Sequence, residues 1–415
     1  MWSYREAEDY VLELEQFGMR FGIERMRSLL TELGCPQDAF ESIHVVGSNG
    51  KSSTVWLADE IVRRSGRASG AYLSPHLQGY HERVRIGGEN TKPEVLAAAI
   101  ERVAAASRVI ETDRAADDLV TQFETLTAAA FLLLAEADVD VGVIEAGLGG
   151  RYDATNVLDR SRVQVLTGIS LEHTRLLGDT LAEIAAEKVD VVNPGAVLVV
   201  GEDLAEEALA VAQEICAQRG ARLVAVGPDS RPMRLAGDYQ HRNFALAAAA
   251  AGELLGEIGE DALDAAAAHV RIPGRFDVRD QTDGGAIVVL DGAHNPAGMA
   301  EFAALMMSAY PGVKRVAAIS ILHDKDIDAM LQLTGAAFDE LVITQCANPR
   351  VEPAVAVAAR ARALGLSHVI EPEPRAALAL ARKLAGAGGV AVATGSLYLL
   401  ADLEREAATG RVSQL

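Results

Sequence analysis

Positive charge is scarce in this sequence. Lys and Arg number 38 against 59 Asp and Glu, giving a formal net charge of −21. Such a chain repels phosphates, so neither a nucleic acid nor an anionic membrane surface is an expected partner. A phosphate site must therefore be built locally, from a lysine, a metal ion and backbone N–H groups. Cysteine is also sparse. Cys35, Cys216 and Cys346 are far apart and show no metal or redox spacing, so reduced thiols in a cytoplasmic protein are expected. Long hydrophobic runs are missing. The longest, near Ala128 to Ala135, is too short to cross a bilayer. The opening stretch MWSYREAEDYVLELEQFG is charged and amphipathic, unlike a signal peptide. No short repeat of fixed period is present. What remains is a 415-residue chain, half of it hydrophobic, with the length of two or three domains and enough apolar material for large cores.

The most informative stretch is Ile43 to Thr54, IHVVGSNGKSST. A β-branched run stops at Gly47, the turn carries Gly50 and Lys51, hydroxyl residues follow, and a helical pattern begins near Val55. Strand, Gly-rich turn, lysine, hydroxyls and helix form the layout of a phosphate-binding loop. The strict Walker spacing would place glycine at position 45, where Val45 stands, so this is a shortened G-x-x-G-K variant. Taken alone it also reads as an ordinary strand-to-helix turn with a surface lysine.

Further strands are expected at Ala68 to Leu73, Val84 to Ile86, Val139 to Ile144, Val163 to Ile169, Val197 to Val200 and Leu223 to Val226. Helices are expected near 93–110, 117–136, 180–189 and over 241–270. Alternating strands and helices predict a doubly wound, mainly parallel α/β sheet, in which ligands sit beyond the carboxyl ends of the strands. The turns at 47–53, 74–76 and 145–153 all follow strands and should face one crevice. Pro273-Gly274 breaks the helical pattern and sets an expected boundary between domains 1–274 and 275–415. A second α/β series, Rossmann-like and smaller, starts at Ala286 to Leu290.

Several residues at strand ends carry chemistry. Glu145 reads as a Mg²⁺ ligand, since hard cations take oxygen donors, or as a capping or ion-paired carboxylate. Arg151 and Asp153 suit an anion and a hydrogen-bond donor of a substrate, or a plain turn ion pair. His173 stands beyond another strand. Lys188, in AEIAAEK, reads on spacing alone as a solvated helix face. Asp291, in DGAHNP, follows the first strand of the second domain, and Pro296 suits the first turn of a helix.

In combination these segments resemble the bifunctional dihydrofolate synthase/folylpolyglutamate synthase family of the Mur ligase superfamily. The matching pieces are HVVGSNGKSS (44–53), SPHL (74–77), ERVRI (82–86), EAGLGGRYDATN (145–156), ISLEHTRLLGDT (169–180), IAAEK (184–188), PGRF (273–276), DGAHNP (291–296), DKD (324–326) and TGS (394–396). The resemblance implies a P-loop ATPase domain plus a smaller C-terminal ligase domain. It implies an enzyme that uses ATP and Mg²⁺ to add L-glutamate to dihydropteroate or to the glutamate tail of folates through an acyl phosphate. It implies ATP contacts at Ser48, Asn49, Gly50, Lys51, Ser52, Ser53, Asn243, Arg275 and Asp291. Metal ligands are implied at Ser74, Glu145 and His173, and acceptor contacts at Thr121, Tyr152, Asp153, Ala154 and His294. Lys51, Lys188 and His173 are the implied catalytic residues, with Lys188 carbamylated. A monomer is expected. Against the family pattern, Ser52 replaces glycine, Glu172 replaces aspartate, and Tyr239-Gln240 stands for His-Gln; whether Ser52 or Ser53 faces the metal is left open. The rival readings are a Mur-type ligase for another carboxylate and a nucleotide-binding regulatory protein with a degenerate site.

Overall fold

The computed structural model describes residues 1–17, 22–112, 118–279 and 285–405. It divides into two compact units. The first comprises Met1–Arg234 and Asp238–Val270; the second comprises Leu235–Gly237 and the described residues from Arg271 onward. Among the described residues no helix is long and apolar enough to cross a membrane.

The first unit is built on an eight-stranded sheet made of β1 (Glu41–Val46), β2 (Ser69–Tyr72), β3 (Val84–Ile86), β4 (Glu89–Asn90), β5 (Val141–Glu145), β6 (Val163–Leu166), β7 (Val197–Gly201) and β8 (Arg222–Val226). Their order is β4-β3-β2-β5-β1-β6-β7-β8. The six strands from β2 to β8 in that order run parallel, while β3 and β4 are antiparallel at one edge. β1 is buried along its length after Glu41, as expected of a β-branched run covered on both faces. The helices Lys51–Arg64 and Asp238–Leu255 pack on each other. The connection from β1 leads to one side of it and the connection from β5 to the other. The carboxyl end of β1 is thus a topological switch point, where doubly wound sheets bind ligands. Register aligns Val45 with Glu145 and Val46 with Leu166, and Tyr72 with Ile144. The segments after Val46, Tyr72, Glu145 and Leu166 therefore leave the same edge of the sheet.

The second unit holds a six-stranded sheet of β9 (Asp277–Arg279), β10 (Ile287–Leu290), β11 (Arg315–Ile319), β12 (Glu340–Ile343), β13 (His368–Ile370) and β14 (Val390–Thr394). Its order is β13-β12-β11-β14-β10-β9, parallel except for β9.

Three expectations change. The strand expected to reach Ile169 is regular only to Leu166; beyond it Thr167 N still donates to Val46 O (3.0 Å) and Gly168 O accepts from Ser48 N (2.8 Å), while the Thr167 hydroxyl donates to Asn49 O at 2.7 Å. The helix expected over 241–270 is two helices, Asp238–Leu255 and Glu260–His269, separated at Gly256, which holds φ +89°. The second Ala-rich helix runs Gln122–Glu136; its expected start at 117 lies outside the described residues.

Candidate active site

The loop after β1 closes through contacts that only glycine permits. Gly47 holds φ +146°, and a Cβ there would lie 2.0 Å from Thr167 Oγ1. Gly50, at φ +89°, precedes the helix Lys51–Arg64, and its Cβ would meet Asn243 Oδ1 at 2.5 Å. Asn243, on the helix Asp238–Leu255, is thereby placed against the loop, with its amide donating to Gln240 Oε1. Ser48 N donates to Gly168 O at 2.8 Å, and Ser170 N donates to Ser48 Oγ at 3.1 Å. Lys51 opens the helix and folds its ammonium back onto Gly47 O (2.9 Å) and Ser48 O (3.3 Å). The first turn of this helix carries no acidic side chain. Its N–H groups and the lysine suit an anion.

Glu145, at the end of β5, is 1% exposed. Ser52 Oγ donates to its Oε1 at 2.9 Å and Ser74 N to its Oε2 at 3.3 Å. Ser53 is buried in the helix, so it is Ser52 that faces the carboxylate. His173 precedes the short helix Thr174–Leu177 in a left-handed conformation (φ 45°). Among the described residues no group of three or more His, Cys, Asp or Glu is assembled for a metal. The Glu145 carboxylate and the Ser52 hydroxyl beside it are nevertheless hard oxygen donors, which fit Mg²⁺ with water completing its shell.

Lys188 is not on a solvated face. It is 1% exposed, donates to Gly47 O at 3.0 Å and pairs with Glu172 Oε1 at 2.9 Å. Burial lowers its pKa to about 8, Glu172 opposing and Lys51 reinforcing the shift. Burial alone would raise the Glu172 carboxyl, but Lys188 and Lys51 together hold it down at about 2. One carboxylate thus serves two ammonium groups beneath the phosphate loop.

The loop from Gly147 to Thr155 is organised by Asp153. Its Oδ2 accepts from Leu148 N (2.8 Å), and its Oδ1 from Thr155 N (2.9 Å) and Thr155 Oγ1 (2.5 Å). Burial raises its pKa, and these hydrogen bonds oppose the shift. Asp153 does not pair with Arg151, which lies instead near Glu187 and Asp190 at 3.7 and 3.5 Å. These contacts of Asp153 organise the loop. Tyr152 is 47% exposed beside it, and Ala154 is buried. Thr121 caps the helix Gln122–Glu136 in a reciprocal pair with Glu124, and Arg25 Nε anchors Glu124 at 2.8 Å.

In the second unit, Asp291 follows β10. Its two oxygens accept from Phe276 N (2.8 Å) and Ala293 N (2.9 Å). Burial raises its pKa against the neighbouring Arg275 guanidinium. His294 Nδ1 lies 2.9 Å from Gly292 O. Asn295 caps the helix Pro296–Ala309, with proline in its first turn.

Residues 274–397 match the Mur ligase glutamate ligase domain. A dihydrofolate synthase/folylpolyglutamate synthase of Mycobacterium tuberculosis is 33% identical over 370 residues, covering 79% of this chain and 75% of that protein. The chain belongs to the dihydrofolate synthase/folylpolyglutamate synthase family. A solved structure of the Mycobacterium tuberculosis folylpolyglutamate synthase complexed with ADP superposes with a TM-score of 0.89 at 29% identity, covering 97% of this chain and 98% of that one. A probable bifunctional folylpolyglutamate synthase/dihydropteroate synthase of Halobacterium salinarum is 34% identical over 353 residues. The match takes in 79% of this chain but 42% of that protein, so the chain spans about two fifths of that relative.

In this family member the structure brings Ser48, Asn49, Gly50, Lys51, Ser52, Ser74, Glu145, Lys188 and Asn243 to the carboxyl edge of the first sheet. It groups Tyr152, Asp153 and Ala154 in one loop. Sequence reasoning passed over four residues that shape these loops: His44, Thr155, Thr167 and Phe123. The Phe123 ring occupies the space a Gly147 Cβ would need, at 2.5 Å, and lies 6.1 Å from the Tyr72 ring. Their aromatic and hydroxyl character carries no local signal; only long-range packing reveals it.

Proposed function

We propose that the chain is an ATP-dependent amide ligase that adds L-glutamate to dihydropteroate, to glutamate-bearing folates, or to both. The observation that carries this reading is the Lys51 loop at the sheet switch point, with the Ser52–Glu145 pair beside it. The family membership and the dihydrofolate synthase name of the mycobacterial relative support the acceptor class. Residues 1–274 would bind the nucleotide, and 275–415 would complete the ligase, with Arg275 and Asp291 on ATP and His294 on substrate. The setting proposed is a cytoplasmic monomer; the free Cys35, Cys216 and Cys346 suit the reducing compartment.

Loop N–H groups and Lys51 hold the outer phosphates, and Asn243 borders the same loop. Glu145, Ser52, Ser74 and His173 would hold Mg²⁺, which when bound supplies charge neutralisation at the γ-phosphate. A carboxylate oxygen of the acceptor attacks the γ-phosphorus as the bond to ADP breaks. The glutamate amine then attacks the acyl carbon, loses a proton, and phosphate leaves. The chain contributes positioning and fixed charge rather than a nucleophilic side chain. Lys188 is proposed as the site of a carbamate: its neutral amine adds to CO₂ with loss of one proton, giving oxygen donors in place of a cation. The amine must first leave its ion pair with Glu172.

The reading is tested by measuring ADP release with dihydropteroate plus L-glutamate against ATP alone. Release that depends on both co-substrates supports it. ATP binding without turnover across a panel of folate acceptors overturns it and favours the regulatory alternative.

A further inference from the structure

A buried chain of hydrogen bonds joins the strand that carries the phosphate loop to the loop of Asp153. His44 lies on β1, between Ile144 of β5 and Gln164 of β6, and is sealed from solvent. Its Nε2 is 2.8 Å from Thr155 Oγ1. Thr155 has a single hydroxyl proton, and it is directed at Asp153 Oδ1 at 2.5 Å. Asp153 in turn holds Leu148 N and Thr155 N. Three donors converging on one carboxylate favour its charged form. With the threonine proton committed, Thr155 Oγ1 can only accept from histidine, so His44 carries its proton on Nε2. The imidazole is neutral, because burial lowers its pKa to about 3.

We propose that His44 is a positioning residue for acceptor use: it orients the Thr155 hydroxyl, which fixes the Asp153 carboxylate and with it the loop 147–155. The inference rests on the acceptor contacts at Tyr152, Asp153 and Ala154 that the family resemblance implies for this loop. An apolar residue would fill the same space on β1. A donor at that point is needed only to set the direction of the hydrogen bonds running to Asp153, two residues away from Thr155. The chain of bonds gives β1 two outputs, the phosphate loop through its backbone and the acceptor loop through one side chain.

The test uses the full chain in two arms. In the first, histidine ring nitrogens are labelled with ¹⁵N, the His44 signal is assigned by its loss in His44→Gln, and long-range ¹H–¹⁵N correlation reads the tautomer. The neutral Nε2–H form, perturbed in Thr155→Val, is expected; an Nδ1–H form overturns the proposal. In the second arm, His44→Leu and Thr155→Val should each lose roughly tenfold in acceptor kcat/KM, below the ~100-fold that a one-ångström misplacement can cost. The KM for ATP should stay unchanged, His44→Gln should recover activity, and the double variant should be no worse than either single one. Equal losses toward ATP and acceptor, additive losses, or unchanged acceptor kcat/KM in a folded Thr155→Val protein would each overturn it, even if His44→Leu does not fold. A parent that turns over no folate acceptor overturns the functional reading and the acceptor role with it, while the tautomer still decides whether His44 holds the loop.

Discussion

Ser52→Ala should weaken the use of Mg²⁺, and Ser53→Ala should not. Ser52 Oγ lies 2.9 Å from Glu145 Oε1, on a carboxylate that is almost fully buried. A hydrogen bond to a charged group is worth about 1.5–3 kcal/mol, and each 1.4 kcal/mol is about a factor of ten in affinity. Removing the hydroxyl deletes one oxygen donor and loosens the carboxylate that would hold the cation. The Mg²⁺ concentration for half-maximal ADP release should therefore rise about ten- to hundredfold. Ser53 is buried in the helix, and alanine is the better helix former, so Ser53→Ala should keep the parental Mg²⁺ curve. The assay is initial-rate ADP release over a Mg²⁺ titration at fixed ATP. An unmoved curve for Ser52→Ala, or a shift confined to Ser53→Ala, refutes the reasoning.

Lys51→Ala should abolish turnover, because its ammonium is the cation folded over the loop; near-parental kcat in that variant would remove the phosphate-loop assignment. Lys188→Ala should be inactive and partly rescued by short carboxylic acids, which can supply the oxygens of a carbamate; a fully active variant contradicts that role. Acid should destabilise the fold through His44. Its folded pKa of about 3 lies below the unfolded value near 6.5, so only the unfolded chain takes up the proton. The stability is complete above pH 6.5 and is lost as pH falls toward 3. From pH 6.5 to 5 the loss approaches roughly 2 kcal/mol, visible as a pH-dependent difference in thermal unfolding between the parent and His44→Leu; parallel pH profiles contradict it.

The parts of the architecture legible in the sequence were those encoded locally. The β-branched run Ile43 to Val46 and the glycines after it mark a buried strand and a tight turn without help from elsewhere. Glu145 at a strand end and Asp291 after β10 follow from the same alternation of strand and turn. Lys188 shows the limit of such reading. Its helix carries Glu183 and Glu187 beside alanines, the pattern of a solvated face, yet the lysine is buried because Gly47 O and the Glu172 carboxylate lie above it. Both partners depend on how β1 and β6 sit side by side. The bond from the Thr167 hydroxyl to Asn49 O has the same origin, since it reaches a loop far away in sequence. Asp153 was legible as a loop residue but not as the centre of that loop, because His44 and Thr155, which complete its bonds, look like ordinary strand and turn residues.

The central claim is ligation through an acyl phosphate, and the fate of one oxygen tests it most directly. The acceptor is supplied with ¹⁸O in its carboxylate, together with ATP, Mg²⁺ and L-glutamate, and the released phosphate is weighed by mass spectrometry. The account predicts that the phosphate carries one ¹⁸O for each amide formed, because a carboxylate oxygen attacks the γ-phosphorus and leaves with it. Amide product accompanied by unlabelled phosphate, or by AMP and pyrophosphate, would contradict it.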